Sequence, residues 1–205
     1  MKRAADLLGA GLALVVLSPV LVAIAAVVRW TAGRPVLFGQ QRAGRNGRPF
    51  TVWKFRTMTE ARDEAGRPRP DAERLTGTGR WLRSSSLDEL PELWNVIRGD
   101  MSLIGPRPLP VLYLPRYSTL EARRHELRPG ITGWAQVNGR NAVDWDRRLA
   151  MDVWYVDHRS LLLDLRILAK TVVAVVTRKG VSGPGAETMT ELRPELSNHL
   201  EGSGT

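Results

Sequence analysis

The chain has 205 residues, enough for one compact domain with a core and short for two, so one catalytic unit is expected. It carries 30 Lys and Arg against 21 Asp and Glu, a formal charge of +9, which points to anionic partners: nucleic acid or an anionic membrane. With no cysteine, disulfides, thiolate metal sites and cysteine nucleophiles are excluded.

From Leu7 to Val28 no side chain is charged, and at about 1.5 Å per residue such a helix could cross a hydrocarbon core about 30 Å thick. Ser18-Pro19 lies near its middle, where proline removes a backbone hydrogen bond and predicts a kink. Lys2 and Arg3 precede the run, and Arg29 and Arg34 follow it. Cytoplasmic flanks are enriched in Lys and Arg, so both ends read as cytoplasmic. A re-entrant hairpin over residues 1–33, turning at Ser18 and Pro19, satisfies this symmetry, although the residues taken alone favour a kinked single span, and a signal peptide is a further competing reading. Trp30 suits an interfacial anchor.

Further on, Pro35–Phe38 and Phe50–Trp53 read as a small strand pair, and Thr59–Gly79, rich in Arg, Asp, Glu, Gly and Pro, as exposed helix and loop. Over Leu87–Ile97, the residues Leu87, Leu90, Leu93, Trp94 and Ile97 fall on one helical face, with Asp88 opposite and Arg98-Gly99 as a stop. Leu109–Leu114 is a short apolar segment among prolines, and Leu120–Leu127 a charged helix. Leu161–Thr177 is apolar but contains Asp164, Arg166 and Lys170, which suits a core or interfacial helix better than a membrane span. Residues 183–205 are rich in Gly, Pro, Ser, Thr and Glu and are expected to be a disordered tail. No internal repeat is present.

The chain lacks a Walker A loop, a glycine-rich dinucleotide turn and an H-E-x-x-H helix, and its three histidines are scattered. An oxygen nucleophile or carboxylate chemistry remains, and Asp88-Glu89 is the natural candidate. Yet Ser86-Leu-Asp-Glu89 is also a capping box, the reading that spacing alone favours, although Pro91 implies a later or strained helix start. Lys54, Arg56, Arg83 and Arg107 would suit phosphates, and Asp88 with Glu89 could hold a hard divalent cation. No zinc finger, RNP or helix-turn-helix signature supports nucleic-acid binding.

Together these segments resemble the monotopic phosphoglycosyl transferases, the bacterial sugar transferase family. The likeness is carried by Ser18-Pro19, by KFRTM from Lys54, by SLDELPELWNVIRGDMSLIGPRP from Ser86, and by RPGITGWAQVNGRN from Arg128. It implies an α/β, mostly helical, monotopic membrane protein with an N-terminal re-entrant helix-break-helix and interfacial amphipathic helices. Its catalytic domain, residues 34–182, would face the cytoplasm at the bacterial inner membrane. The resemblance further implies that Asp88 attacks the β-phosphate of a UDP-sugar and releases UMP, and that undecaprenyl phosphate then attacks the phosphosugar-aspartyl intermediate. Asp88 and Glu89 would hold Mg2+, or Glu89 would accept a proton from the lipid phosphate. Lys54, Arg56, Arg83, Arg107, Arg128, Gln136 and Arg140 would contact substrate. Membrane lipid is the further partner, and a homodimer is compatible with a small interfacial enzyme. The rival reading is a membrane-attached scaffold that binds anionic lipid or a polyprenyl-linked glycan without turnover, against which the intact Asp88-Glu89 pair argues.

Overall fold

In the computed structural model, which describes residues 2–139, 143–177 and 191–194, the apolar N-terminal run forms α1 (Lys2–Thr31). Pro19 has no N–H to offer the Val15 carbonyl four residues back, and the Ser18 hydroxyl donates to that same oxygen at 2.8 Å. The run therefore continues as one helical element through the position where a break is expected. One face of α1 bears Asp6, Ala10, Ile24 and Val28, all buried, whereas Leu8, Leu12, Val15, Val16, Val22 and Trp30 are exposed on the other.

Both ends of α1 are fastened to the rest of the chain. Near the start, Arg3 donates to the carbonyls of Val96 (2.6 Å) and Ile97 (3.0 Å), and Asp6 Oδ1 accepts from the Ser102 hydroxyl (2.9 Å) and the Leu103 amide (3.1 Å). Lys2 pairs with Asp164. Near the far end, Ile24 and Val28 pack against Phe55 and Leu82.

The expected strand pair is present, beginning slightly later and running longer: β1 (Leu37–Ala43) pairs antiparallel with β2 (Pro49–Phe55), Leu37 facing Phe55 and Ala43 facing Pro49. Asn46 takes a left-handed conformation (φ 57°) in the connecting turn, which asparagine tolerates. Residues 59–79 form a loop closed by isolated bridges, then α2 (Asp71–Arg74) and the start of α3 (Gly77–Ser85). Thr76 caps α3 by accepting from Gly79 N at 2.8 Å. A side chain at Gly79 would collide with the Thr57 backbone, so glycine sets the close approach of α3 to the end of β2.

The helix expected over Leu87–Ile97 is shorter, α4 (Glu92–Arg98), preceded by a 3-10 turn over Leu87–Glu89. Gly99 (φ 95°) ends it as read from the sequence. Its buried residues are Glu92, Leu93, Asn95 and Val96; of the predicted apolar face, Leu87, Leu90, Leu93 and Ile97 pack on the core, but Trp94 is half exposed, so the periodicity placed the buried side slightly off. The reason is Asn95, which is wholly buried. It accepts from Trp53 N (3.2 Å) and donates to Thr51 O (2.7 Å), taking the place of a third strand along the outer edge of β2.

Two short strands not foreseen, β3 (Ser102–Ile104) and β4 (Gly130–Thr132), pair in parallel. The segment around Leu109 becomes a 3-10 helix over Val111–Arg116, and the charged helix divides into α5 (Thr119–Ala122) and a 3-10 turn over Arg123–Glu126. After these come α6 (Trp134–Asn138), α7 (Trp145–His158) and α8 (Leu161–Thr177). On α8, Asp164 and Ile167 are buried while Leu162, Leu165, Val172 and Val173 are exposed.

Much of the expected disordered tail lies outside the described residues. Within it, however, Leu192 is wholly buried beside Leu109, Tyr113 and Leu149, and Arg193 pairs with Glu121 (2.8 Å) and Asp146 (2.7 Å). These residues are docked, because one leucine and one arginine found complementary places among polar, turn-rich neighbours.

Candidate active site

Asp88 stands at the middle of the 3-10 turn that reverses the chain between α3 and α4. Ser86 makes the reversal by adopting a left-handed conformation (φ 57°, ψ 18°) and closing α3 with its own amide. Pro91 is pre-set near helical angles (φ −62°, ψ −16°), so α4 starts directly after it. This overturns the capping-box reading. An N-cap serine needs extended backbone to turn its hydroxyl onto the following amides, and Ser86, being left-handed, makes no such bond. A capping box does form at Ser118 and Glu121, where Ser118 is extended (φ −65°, ψ 163°).

Freed from capping, the Glu89 side chain turns to two cations. Lys54, the penultimate residue of β2, approaches Glu89 Oε1 at 2.6 Å and Glu92 Oε1 at 3.3 Å. Arg107, from the loop after β3, donates to both Glu89 oxygens. Arg42 of β1 lines the same small cleft with Lys54, Glu92 and Arg107. Arg83 donates to the Thr57 hydroxyl at 3.0 Å. Asp88 differs from its neighbours: its carboxylate is buried and has no hydrogen-bond or ion-pair partner among the described residues.

The electrostatics separate the three carboxyl groups. Burial, followed by the charge of Glu89, pushes Asp88 up to about 6, with Lys54, Arg107 and Arg83 restraining the rise. Burial also opposes ionisation of Glu89, but Arg107 and Lys54 prevail and hold it well below the usual carboxylate range. Burial and the charge of Glu89 raise Glu92 to about 7. Arg107 is raised in turn, chiefly by Glu89. At neutral pH the site thus offers one ionised, unpaired carboxylate, one carboxylate locked in ion pairs and one acid poised to exchange a proton. Asp88 suits a nucleophile, and Glu92 suits proton transfer better than Glu89, whose low pKa makes it a weak base.

Arg107 is held from behind. Arg124 donates to its carbonyl at 2.7 Å and forms a buried pair with Asp152 at 2.7 Å.

Of the residues read from the sequence, Asp88, Glu89, Lys54, Arg83 and Arg107 are thus brought together. Arg56 pairs instead with Glu60 (3.1 Å) and the Arg34 carbonyl (3.1 Å). Arg128 holds the Gly99 carbonyl at the end of α4 (2.9 Å), and Gln136 donates to the Ile131 carbonyl (2.9 Å). Arg140 lies outside the described residues. Sequence reasoning missed Arg42, Glu92 and the Arg124–Asp152 pair. Strand alternation carried a signal for the first, since Phe50, Val52 and Lys54 share one face of β2 and Arg42 lies opposite Phe50.

Residues 1–178 match the family model described as bacterial sugar transferase. The chain is 53% identical over 181 residues to an uncharacterized sugar transferase, EpsL, of Bacillus subtilis, covering 88% of this chain and 90% of that one. It is 41% identical to the exopolysaccharide production protein ExoY of Rhizobium meliloti, covering 87% of each. It is also 42% identical to a UDP-glucose:undecaprenyl-phosphate glucose-1-phosphate transferase of Klebsiella pneumoniae, covering 83% of this chain but 39% of that longer protein. These likenesses set aside the non-catalytic scaffold. From its N-terminal helix through the carboxylate turn to α8, the chain belongs to the bacterial sugar transferase family and is an enzyme.

Proposed function

We propose that the protein transfers a sugar 1-phosphate from a UDP-sugar to undecaprenyl phosphate, giving a polyprenyl-diphosphate sugar and UMP, as the first membrane step of glycoconjugate assembly. The observation that carries this reading is the Asp88 carboxylate, buried and unpaired beside Lys54, Arg83 and Arg107. An Asp88 oxygen attacks the β-phosphorus, the bond to the bridging oxygen breaks, and UMP leaves with that electron pair. A phosphosugar-aspartyl ester remains. A phosphate oxygen of the lipid then attacks the same phosphorus, and the Asp88 carboxylate is restored. Lys54, Arg83, Arg107 and Arg42 offset charge on the phosphoryl oxygens, and Glu92 takes any proton that the lipid phosphate still carries.

Magnesium is the cofactor that the resemblance implies, and the donors fit it in part. The Asp88 oxygens are hard and unpaired, whereas the Glu89 oxygens are engaged by Lys54 and Arg107. Asp88, together with the donor diphosphate, would hold the ion, which when bound offsets charge on the diphosphate and on departing UMP.

We further propose that α1 enters the inner membrane from the cytoplasmic side without crossing it. Support comes from its attachments, since Arg3 and Asp6 at one end and Ile24 and Val28 at the other all pack on the same domain. A straight span would carry one set of these contacts to the opposite surface. Because the chain has no cysteine, Ala4→Cys and Arg34→Cys give clean labelling sites. Both should react from the cytoplasmic side only, and labelling of either from outside restores the spanning helix.

Activity is tested by UMP release from a panel of UDP-sugars with undecaprenyl phosphate, comparing wild type with Asp88→Asn. A phosphosugar adduct on the peptide containing Asp88, found by mass spectrometry when the acceptor is omitted, is the expected intermediate. Unchanged turnover in Asp88→Asn refutes the nucleophile.

A further inference from the structure

Beside the carboxylate turn lies an opening of different character. A groove of about 470 Å3 runs between α1 and α3, walled by Val20, Ala23, Ile24 and Val27 on one side and by Thr78, Trp81 and Leu82 on the other. Its size falls in the range of roughly 300–1,000 Å3 common for small-molecule sites. Its lining is nearly all apolar, and Val20, Val27 and Trp81 are each about half exposed. The groove therefore opens beside the apolar outer surface of α1, and it shares no lining residue with the cleft of Arg42, Lys54, Glu92 and Arg107.

The inner wall ties the groove to the reacting group. Ile24 and Leu82 pack in one cluster with Phe55, Val28 and Leu87. Phe55 follows Lys54, Arg83 follows Leu82, and Leu87 precedes Asp88, so three residues of this cluster, one of them the wall residue Leu82, are each one Cα step, about 3.8 Å, from a charged member of the site. Arg83 is anchored through its Nε to Thr57 and faces no carboxylate partner among the described residues. An apolar channel whose wall residue Leu82 is followed in the chain by an arginine without an ion-pair partner among the described residues is complementary to a single hydrocarbon chain that ends in phosphate.

We propose that this groove seats the first isoprene units of the acceptor, so that the lipid phosphate passes Arg83 to reach Asp88 while the rest of the chain stays among membrane lipids. The assignment rests on undecaprenyl phosphate being the acceptor. It divides the site: the lipid enters along α1 and α3, and the nucleotide sugar comes from the side of Arg42 and Arg107. Both substrates then meet the same Asp88 oxygen in turn without sharing a path.

The experiment uses the full chain in phosphatidylglycerol nanodiscs. Ala23→Trp fills the groove while keeping α1 apolar, and it should raise KM for undecaprenyl phosphate at least tenfold relative to KM for the UDP-sugar. A ratio of the two KM values equal to that of wild type overturns the assignment. In wild type, a polyprenyl phosphate bearing a diazirine near its phosphate end should crosslink to Val20, Ala23, Val27, Thr78 or Trp81, which requires no variant to fold. Crosslinks confined to α8 or to the Leu8–Leu12 face of α1 overturn it. If wild type transfers no sugar phosphate to the lipid at all, the proposed function fails first, and that result is distinct from turnover with crosslinks elsewhere.

Discussion

Replacing Lys54 by methionine keeps most of the side-chain stem and removes the cation that most restrains the rise of the Asp88 pKa. With Asp88 at about 6, about nine-tenths of the nucleophile is ionised at pH 7 in the wild type. A nearby opposite charge lowers a carboxyl by about 1–3 units, so its loss should raise Asp88 by at least about one unit. The assay is the second-order rate constant for the single burst of UMP released per enzyme with the acceptor omitted, because this quantity reports the free enzyme and leaving out the lipid removes its phosphate titration at roughly pH 6. Wild type should lose rate as pH falls through about 6. In Lys54→Met that acid limb should move to about 7 or above. The part of the loss due to titration should return at higher pH, whereas the part due to a missing phosphate contact should not. A wild-type profile flat from about pH 5 to 8, or an acid limb that does not move in the variant, refutes the electrostatic argument.

Asp88→Asn should abolish turnover yet raise thermal stability at pH 7, because it removes a buried, unpaired charge. The rise from 3.8 to about 6 corresponds to about 3 kcal/mol at most. The folded-state pKa lies above the unfolded one, so wild type suffers this cost above pH 6 and recovers as pH falls toward 3.8. Melts in nanodiscs should show the Asn advantage shrinking over that window, and an advantage independent of pH counts against the assignment. Asp152→Ala leaves Arg124 buried without its partner and should cost about 3–5 kcal/mol. The double replacement Arg124→Met with Asp152→Leu should recover most of that stability, measured by the same melts, but not full activity, because the bond to the Arg107 carbonyl is gone. Asn95→Leu strips Trp53 N and Thr51 O of their partner and should cost about 2–5 kcal/mol, visible as a lowered melting temperature.

Some of this protein was legible in the chain alone. The uncharged run, the Gly99 stop and the β1–β2 pair depend on residues within a turn or two of one another, and such local signals are written in order. The motif residues named the chemistry for the same reason. Local rules also misled, and at the point of greatest interest: Ser86 and Glu89 have capping-box spacing, but the left-handed backbone at Ser86 is imposed by packing α3 and α4 around a tight turn. What separates Asp88 from Glu89 was likewise not in the sequence. Glu89 is neutralised by Lys54, 35 positions away, and by Arg107, 18 positions away, contacts that exist only once β2 and the loop after β3 converge. Arg56, Arg128 and Gln136 show the converse, polar residues in or near recognisable motifs that folding turns toward backbone carbonyls. The sequence by itself determined which ionisable groups were available. Tertiary structure decided which were neutralised and which were left free, because burial and Coulomb energy depend on distance in space and not along the chain.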